Sequence, residues 1–132
     1  MGLTQSGPIE AIQSFVDAFN HADAERAQAA CADATSIIDD FPPYEWAGPG
    51  ATTAWLRDMD RMAAEFGMSE PWVTLNEPRH VIVSDAAAFV VVPIDVRWRE
   101  DGTQERRSGF MTVVLHDGVE GWRISSLAWT WD

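Results

Sequence analysis

The sequence contains no lysine, because all nine of its basic residues are arginines. Schiff-base chemistry needs a side-chain amine that can lose its proton, and a guanidinium does not provide one. Pyridoxal-type and lysine-dependent aldolase mechanisms are therefore excluded, unless the N-terminal amine serves instead.

Cysteine and histidine are also scarce, with one and three residues respectively. The single cysteine, Cys31, has no partner for an internal disulfide and is expected to pack as a small hydrophobic residue. His-x-His, His-Glu-x-x-His and Cys-x-x-Cys spacings are absent, so no metal site is expected. The sequence also lacks a glycine-rich phosphate loop and a Gly-x-Ser-x-Gly elbow, and we therefore expect no cofactor.

No apolar run approaches the length of a membrane span. The longest, from Ala86 to Ile94, is far shorter than the ~20 residues of a transmembrane helix. The N-terminal residues also lack an apolar signal core, and we expect a soluble cytoplasmic protein. Twenty-one acidic against nine basic residues give a formal net charge of −12, which disfavours nucleic acid and anionic membranes as partners.

The first half of the chain has the periodicity of helices. An apolar stripe after Pro8 predicts a first helix, with the members Ile9, Ile12, Val16 and Phe19. Asn20-His21-Ala22 interrupts this pattern, and Asp23 can cap a second helix that runs to about Cys31. Gly48-Pro49-Gly50 introduces a third helix, which Gly67 and Pro71 close.

Strands are predicted mainly in the second half. One short strand lies earlier, from Thr35 to Asp39, where Pro42 and Pro43 force a loop. From Trp72 onward, β-branched and aromatic runs are separated by turn signals at Ser84-Asp85, Asp101-Gly102 and Asp117-Gly118. Helices followed by antiparallel hairpins predict an α+β fold, and we expect one domain over residues 1–132 with the helices on one face of the sheet.

The run from Ala86 to Arg99 is apolar on both faces for much of its length. Only one face of this strand can cover the helices. We therefore expect a homodimer that forms through the outer face of the sheet.

This order of helix, helix, short strand, proline-containing loop, helix and strand meander resembles the nuclear transport factor 2-like superfamily, which includes SnoaL-like and ketosteroid-isomerase-like domains. The segments that carry the resemblance are Phe15 to Asp23, Ala32 to Thr35, Asp39 to Gly48 and Gly121 to Ile124. The resemblance implies a cone-shaped, curved antiparallel sheet packed on N-terminal helices, also called the cystatin-like α+β roll.

The resemblance also implies positions for catalytic groups. In ketosteroid isomerases, an aspartate after the short strand is the general base, and a tyrosine and a protonated aspartic acid form the oxyanion hole. The position of the base falls on Asp39, or on Asp40 if the loop carries an insertion. The tyrosine position is Phe15, which has no donor, and the partner acid falls at or near Thr112, a weaker donor. Enolisation of the steroid type is therefore disfavoured.

A cavity on the concave face of the sheet is the expected ligand site. Seven tryptophans in 132 residues fit an apolar or aromatic small molecule as the partner, although they would equally fill a core and a dimer face. The candidate ligand-binding residues are Phe15, Trp46, Trp55, Val92, Ile94, Trp98, Trp129 and Trp131.

Asp39 and Asp40 are adjacent at a strand end, so their side chains should point to opposite faces. One of them can enter the cavity, where desolvation would raise its pKa and make it a competent base near neutral pH. Alternatively, the pair caps the turn at Pro42-Pro43.

Three further residues are weaker candidates for acid–base roles. Tyr44 is the only tyrosine and could donate a hydrogen bond at the cavity mouth, or could belong to a lid or a dimer contact. His80 and His116 lie on predicted strands, where histidines are commonly exposed or fully hydrogen-bonded.

Three functions remain open at this point. The first is a cofactor-independent enzyme that isomerises, cyclises, dehydrates or hydrates an apolar small molecule, with Asp39 or Asp40 as base. The second is a non-catalytic binding protein, and the third is a dimeric interaction domain whose cavity is filled by side chains. Since the superfamily hosts all three, the fold does not choose between them.

Overall fold

A computed structural model describes residues 7–132, and within this range the chain forms three helices and seven strands. The helices are α1 (Pro8–Asn20), α2 (Ala24–Ala29) and α3 (Ala51–Glu65). The strands are β1 (Cys31–Ile38), β2 (Glu45–Pro49), β3 (Met68–Leu75), β4 (His80–Ser84), β5 (Ala87–Glu100), β6 (Thr103–Gly118) and β7 (Gly121–Trp131). Residues 1–6 of the expected domain lie outside the described residues.

All seven strands belong to one sheet, with the order β2-β1-β7-β6-β5-β3. The long strand β5 pairs with β4 along its first half and with β3 along its second half. All neighbours are antiparallel except β1 and β7, which are parallel. The predicted α+β class and the antiparallel meander are confirmed. The parallel pairing of β1 with β7 was not predicted.

The helices begin and end close to the predicted positions. Pro8 stands in the first turn of α1, and Asp23 accepts a hydrogen bond from the backbone N–H of Arg26 at the start of α2. The second helix ends before Cys31, which is the first residue of β1, so the predicted end was two residues too late. Among the described residues, no helix is long and apolar enough to cross a membrane.

Two strands near the third helix differ from the prediction. β1 starts at Cys31 rather than Thr35, because its pairing with β7 begins at Cys31, whereas β2 pairs with it from Ala34 onward. The segment Glu45–Pro49, expected to be part of a loop, is the edge strand β2. Pro49 is tolerated there because it is the last residue of an edge strand.

The first predicted run of the second half also differs. β3 begins at Met68 rather than Trp72, and a shift in its register with β5 between Ser69 and Trp72 accommodates Pro71. The segment after Leu75 leaves the sheet, and His80 starts a separate strand, β4.

The core lies between the concave face of the sheet and the helices. Alternate residues of the three central strands face inward against Ile12, Phe15 and Val16 of α1. These inward residues are Val90, Val92, Ile94, Met111, Val113, Leu115, Leu127 and Trp129. The residues that alternate with these face outward, and Phe89 is 41% exposed there.

Gly109 of β6 allows the close approach of the last strand. A Cβ at this position would overlap the carbonyl oxygen of Thr130 and would lie 2.9 Å from the indole ring of Trp131. The absence of a side chain therefore lets the Trp131 ring lie directly over β6.

We predict that Gly109→Ala lowers the free energy of unfolding by about 1–3 kcal/mol, because the added methyl group must displace Trp131 or the strand. Gly118→Ala is the matched control, since a Cβ there would meet no atom within 4 Å. Urea denaturation of both variants measures the difference. Equal stability of the two variants would contradict the packing of Trp131 against Gly109.

Candidate active site

A cavity of about 780 Å³ opens between α3 and the sheet. Its wall is mostly apolar and strongly aromatic, with the aromatic members Phe19, Phe41, Trp55, Phe66, Trp98, Trp129 and Trp131. The charged members of the wall are Asp39, Asp40, Asp60, Glu70 and Arg107. This combination suits a largely apolar ligand that meets a few polar groups.

The residue that follows β1, Asp39, enters the cavity wall. Ile37 of β1 is fully buried, and the alternation of a strand places the side chain two residues later on the same face. The parallel pairing of Ile38 with Ala128 then brings Asp39 beside the end of β7. Asp39 is 7% exposed, so a carboxyl group is held almost out of water.

Three donors hold the Asp39 carboxylate. Its Oδ2 accepts the indole N–H of Trp55 at 3.0 Å. Its Oδ1 accepts the backbone N–H of Asp40 at 2.8 Å and the indole N–H of Trp131 at 3.3 Å. Groups from β1, α3 and β7 therefore meet at one carboxylate.

Burial raises the pKa of Asp39 above its usual value, because desolvation disfavours the charged form. The hydrogen bonds from Trp55, Asp40 and Trp131 oppose this shift, and the nearby charge of Asp40 adds slightly to it. A carboxyl group with a raised pKa is a better proton acceptor when ionised, which is the property that a general base needs.

Asp40 also lines the cavity but is exposed. Its Oδ2 accepts a hydrogen bond from the guanidinium of Arg107 at 3.1 Å. The same guanidinium lies over the indole ring of Trp131, 5.3 Å from the ring centroid. An ion pair therefore covers one side of Trp131 at the cavity wall.

Three indole rings form a stack behind this ion pair. The ring centroids of Trp55 and Trp129 are 5.6 Å apart, and those of Trp129 and Trp131 are 6.0 Å apart with nearly parallel planes. Trp129 and Trp131 share a face because they are two residues apart on β7. Trp129 is 5% exposed, and its indole N–H has no acceptor within residues 7–132.

The other acid–base candidates lie away from this cavity. Thr112 alternates with the fully buried Met111 and Val113, so its side chain projects from the outer face, and its assignment to the partner-acid position was wrong. His80 is exposed on β4, and His116 is exposed with its Nδ1 2.9 Å from Ser125 Oγ. Tyr44 is 57% exposed and does not line the cavity.

The apolar candidates divide into two groups. Trp55, Trp98, Trp129 and Trp131 line the cavity. Phe15, Val92 and Ile94 belong to the core and do not line it, and Phe15 packs against the ring of Trp55. Trp46 is also buried elsewhere, where its indole N–H donates to Asp58 at 2.8 Å.

Arg107 is a cavity residue that the sequence analysis did not identify. It lies in the polar run from Gln104 to Ser108, which shows no apolar alternation. Its face is set by the register of β6, in which Arg107 pairs with Val96 and shares the inner face with Met111. The sequence of this segment alone therefore does not predict which face Arg107 occupies.

The described residues do not provide a metal site or a reactive thiol. No group of three or more His, Cys, Asp or Glu side chains within residues 7–132 is arranged to hold a metal ion. Burial raises the pKa of the Cys31 thiol to about 11, which keeps it in the unreactive protonated form.

The family model of the SnoaL-like domain matches residues 9–128. No curated protein is significantly similar in sequence.

In fold, the chain is similar to several solved structures. A nuclear transport factor 2-like superfamily protein from Salmonella enterica has a TM-score of 0.75 and 17% identity, over 92% of this chain and 86% of that one. A ketosteroid isomerase-like protein from Erwinia carotovora atroseptica has a TM-score of 0.73 and 16% identity, over 94% and 92%. A protein with a cystatin-like fold from Novosphingobium aromaticivorans has a TM-score of 0.73 and 17% identity, over 91% and 76%. At these identities the similarity shows the fold.

We predict that the carboxyl carbon of Asp39, followed by NMR, titrates above the usual aspartate value. Trp55→Phe removes a hydrogen bond that favours the ionised form, so it raises this pKa further. Trp46→Phe is the matched control, because that indole donates to Asp58 instead, and it should leave the pKa unchanged. A downward shift in Trp55→Phe would contradict the assigned contact.

Proposed function

Because the chain belongs to the SnoaL-like domain family, we propose that it is a cofactor-independent acid–base enzyme whose substrate is a small, largely apolar molecule. The observation that carries the proposal is the buried Asp39 carboxylate in the wall of an aromatic cavity. Proton transfer at carbon requires a positioned base whose pKa lies near the working pH, in a site that excludes water.

The hydrogen bonds of Asp39 distinguish its two oxygens. Oδ1 accepts two hydrogen bonds, and Oδ2 accepts one. A carboxylate oxygen has two lone pairs, so Oδ2 keeps one for a proton. In the proposed step, Oδ2 takes the proton from a carbon next to a carbonyl group, the C–H electron pair forms a C=C bond to the carbonyl carbon, and the C=O π pair moves to the oxygen. In a β,γ-unsaturated substrate, return of the proton from Asp39 to the γ-carbon gives the isomer. In a β-hydroxy substrate, the same proton passes to the hydroxyl group, which leaves as water as the carbonyl re-forms.

The oxygen that gains charge in this step needs a donor. Phe15 and Thr112 do not supply one, since Phe15 is apolar and buried and Thr112 is on the outer face. The indole N–H of Trp129 has no acceptor among residues 7–132, but it is buried, so it can serve this role only when the ligand displaces a neighbouring side chain.

A non-catalytic binding protein is the second candidate. The three donors on Asp39 would favour it, because they also suit a carboxylate whose role is to fasten β1, α3 and β7 together. The two candidates differ in one respect, since only the enzyme moves a proton on its ligand.

We predict that the protein accelerates the exchange of α-protons of benzylacetone for deuterium in D2O, as followed by proton NMR. Asp39→Asn should lower that rate by about 10²- to 10⁴-fold, because the general base is lost. Asp40→Asn is the control and should keep most of the rate, since Asp40 is exposed and paired with Arg107. Binding of benzylacetone without any exchange would instead support the binding protein.

The proposed assembly is a homodimer through the outer face of the sheet. Ile82 and Phe89 pair across β4 and β5 on this face and are 59% and 41% exposed. Large exposed apolar side chains on one face favour association.

We predict that sedimentation equilibrium shows a dimer and that Phe89→Glu shifts it to monomer, because the substitution places a charge in the apolar face. Val119→Glu is the control, since Val119 is fully exposed in the turn between β6 and β7. A wild-type protein that stays monomeric across a wide concentration range would contradict the proposed assembly.

A further inference from the structure

The charges around the cavity are unequal in sign. Among residues 7–132, its wall contains the four carboxyl groups of Asp39, Asp40, Asp60 and Glu70, and one basic residue, Arg107. Because Arg107 is paired with Asp40, its charge is already balanced within the wall. A negatively charged ligand would therefore meet uncompensated carboxylates, whereas a cation would find partners.

Two of these carboxyl groups stand at the rim. Asp60 of α3 and Glu70 beside Pro71 of β3 both line the cavity and are both exposed. Within residues 7–132 neither of them forms an ion pair. They belong to the helical wall and to the sheet wall of the cavity, so each wall carries an exposed carboxylate at its edge.

The aromatic wall adds a second attraction for a cation. The faces of indole rings carry negative potential and bind ammonium and guanidinium groups. The protein already uses this interaction in the same wall, where the guanidinium of Arg107 lies 5.3 Å from the centroid of the Trp131 ring. The net charge of −12 on the whole chain also raises the local concentration of cationic ligands.

We propose that the ligand of this cavity is a cation, an amine or quaternary ammonium group on an apolar or aromatic body, and that Asp60 and Glu70 select it at the rim. The apolar body fills the aromatic cavity, and the charged group lies toward the rim. This inference rests on the proposed function only in that the cavity binds a ligand, and it does not depend on catalysis.

Three probes of the same shape and different charge test the proposal. They are benzyltrimethylammonium, its uncharged carbon isostere neopentylbenzene, and phenylmethanesulfonate, each titrated into the whole protein by calorimetry. We expect the cation to bind about tenfold or more tightly than the uncharged isostere, and the anion to bind most weakly. The preference for the cation should also decrease as salt is added.

The outcomes separate this inference from the proposed function. Equal or tighter binding of the uncharged isostere would overturn the inference and leave an apolar ligand site intact. Failure of the two ionic probes to bind at millimolar concentration, and of neopentylbenzene up to its solubility limit, would overturn the inference and also count against a ligand site in the cavity.

A pair of double variants tests the role of the rim. Asp60→Asn with Glu70→Gln should weaken binding of benzyltrimethylammonium by roughly threefold to tenfold and leave neopentylbenzene unchanged. Glu25→Gln with Asp85→Asn is the matched control, because it removes the same charge at positions that do not line the cavity. An equal loss of binding in the control variant would show that the effect comes from net charge, and it would overturn the role of Asp60 and Glu70.

Discussion

The hydrogen bonds from Trp55 and Trp131 to the Asp39 carboxylate are the interaction on which this end of the fold depends. A carboxylate that is almost out of water is strongly destabilising unless donors surround it. The two indole N–H groups come from α3 and β7, and Asp39 directly follows β1. The three elements can therefore meet here only if their side chains satisfy the carboxylate, and the aromatic cavity forms around that contact.

The same contact links the fold to the proposed chemistry. The parallel pairing of β1 with β7 brings Asp39 to the end of β7, and Gly109 makes room for the Trp131 ring over β6. Burial raises the pKa of Asp39, whereas the indole donors moderate the shift and orient its oxygens. A group that holds strands and helix together thus has the properties of a positioned base in an apolar site.

Local patterns predicted the helices, the α+β class and the difference in exposure between Asp39 and Asp40, because periodicity and alternation depend on neighbouring residues. The other features depend on pairing between distant strands. β2 is a strand because β1 offers it an edge, and the faces of Thr112 and Arg107 follow from the register of β6 with β5 and β7. The long polar start of β6 shows no apolar alternation from which that register could be read.

Both proposals require a ligand that binds against the indole stack beside Asp39. The most direct test is the indole region of a proton–nitrogen NMR correlation spectrum of the labelled protein, recorded with and without benzyltrimethylammonium. We expect the signals of Trp55, Trp129 and Trp131 to shift at saturation, whereas that of Trp46, which is bonded to Asp58 outside the cavity wall, should not shift. Binding that leaves the three stacked indoles unchanged would contradict a ligand site at the stack.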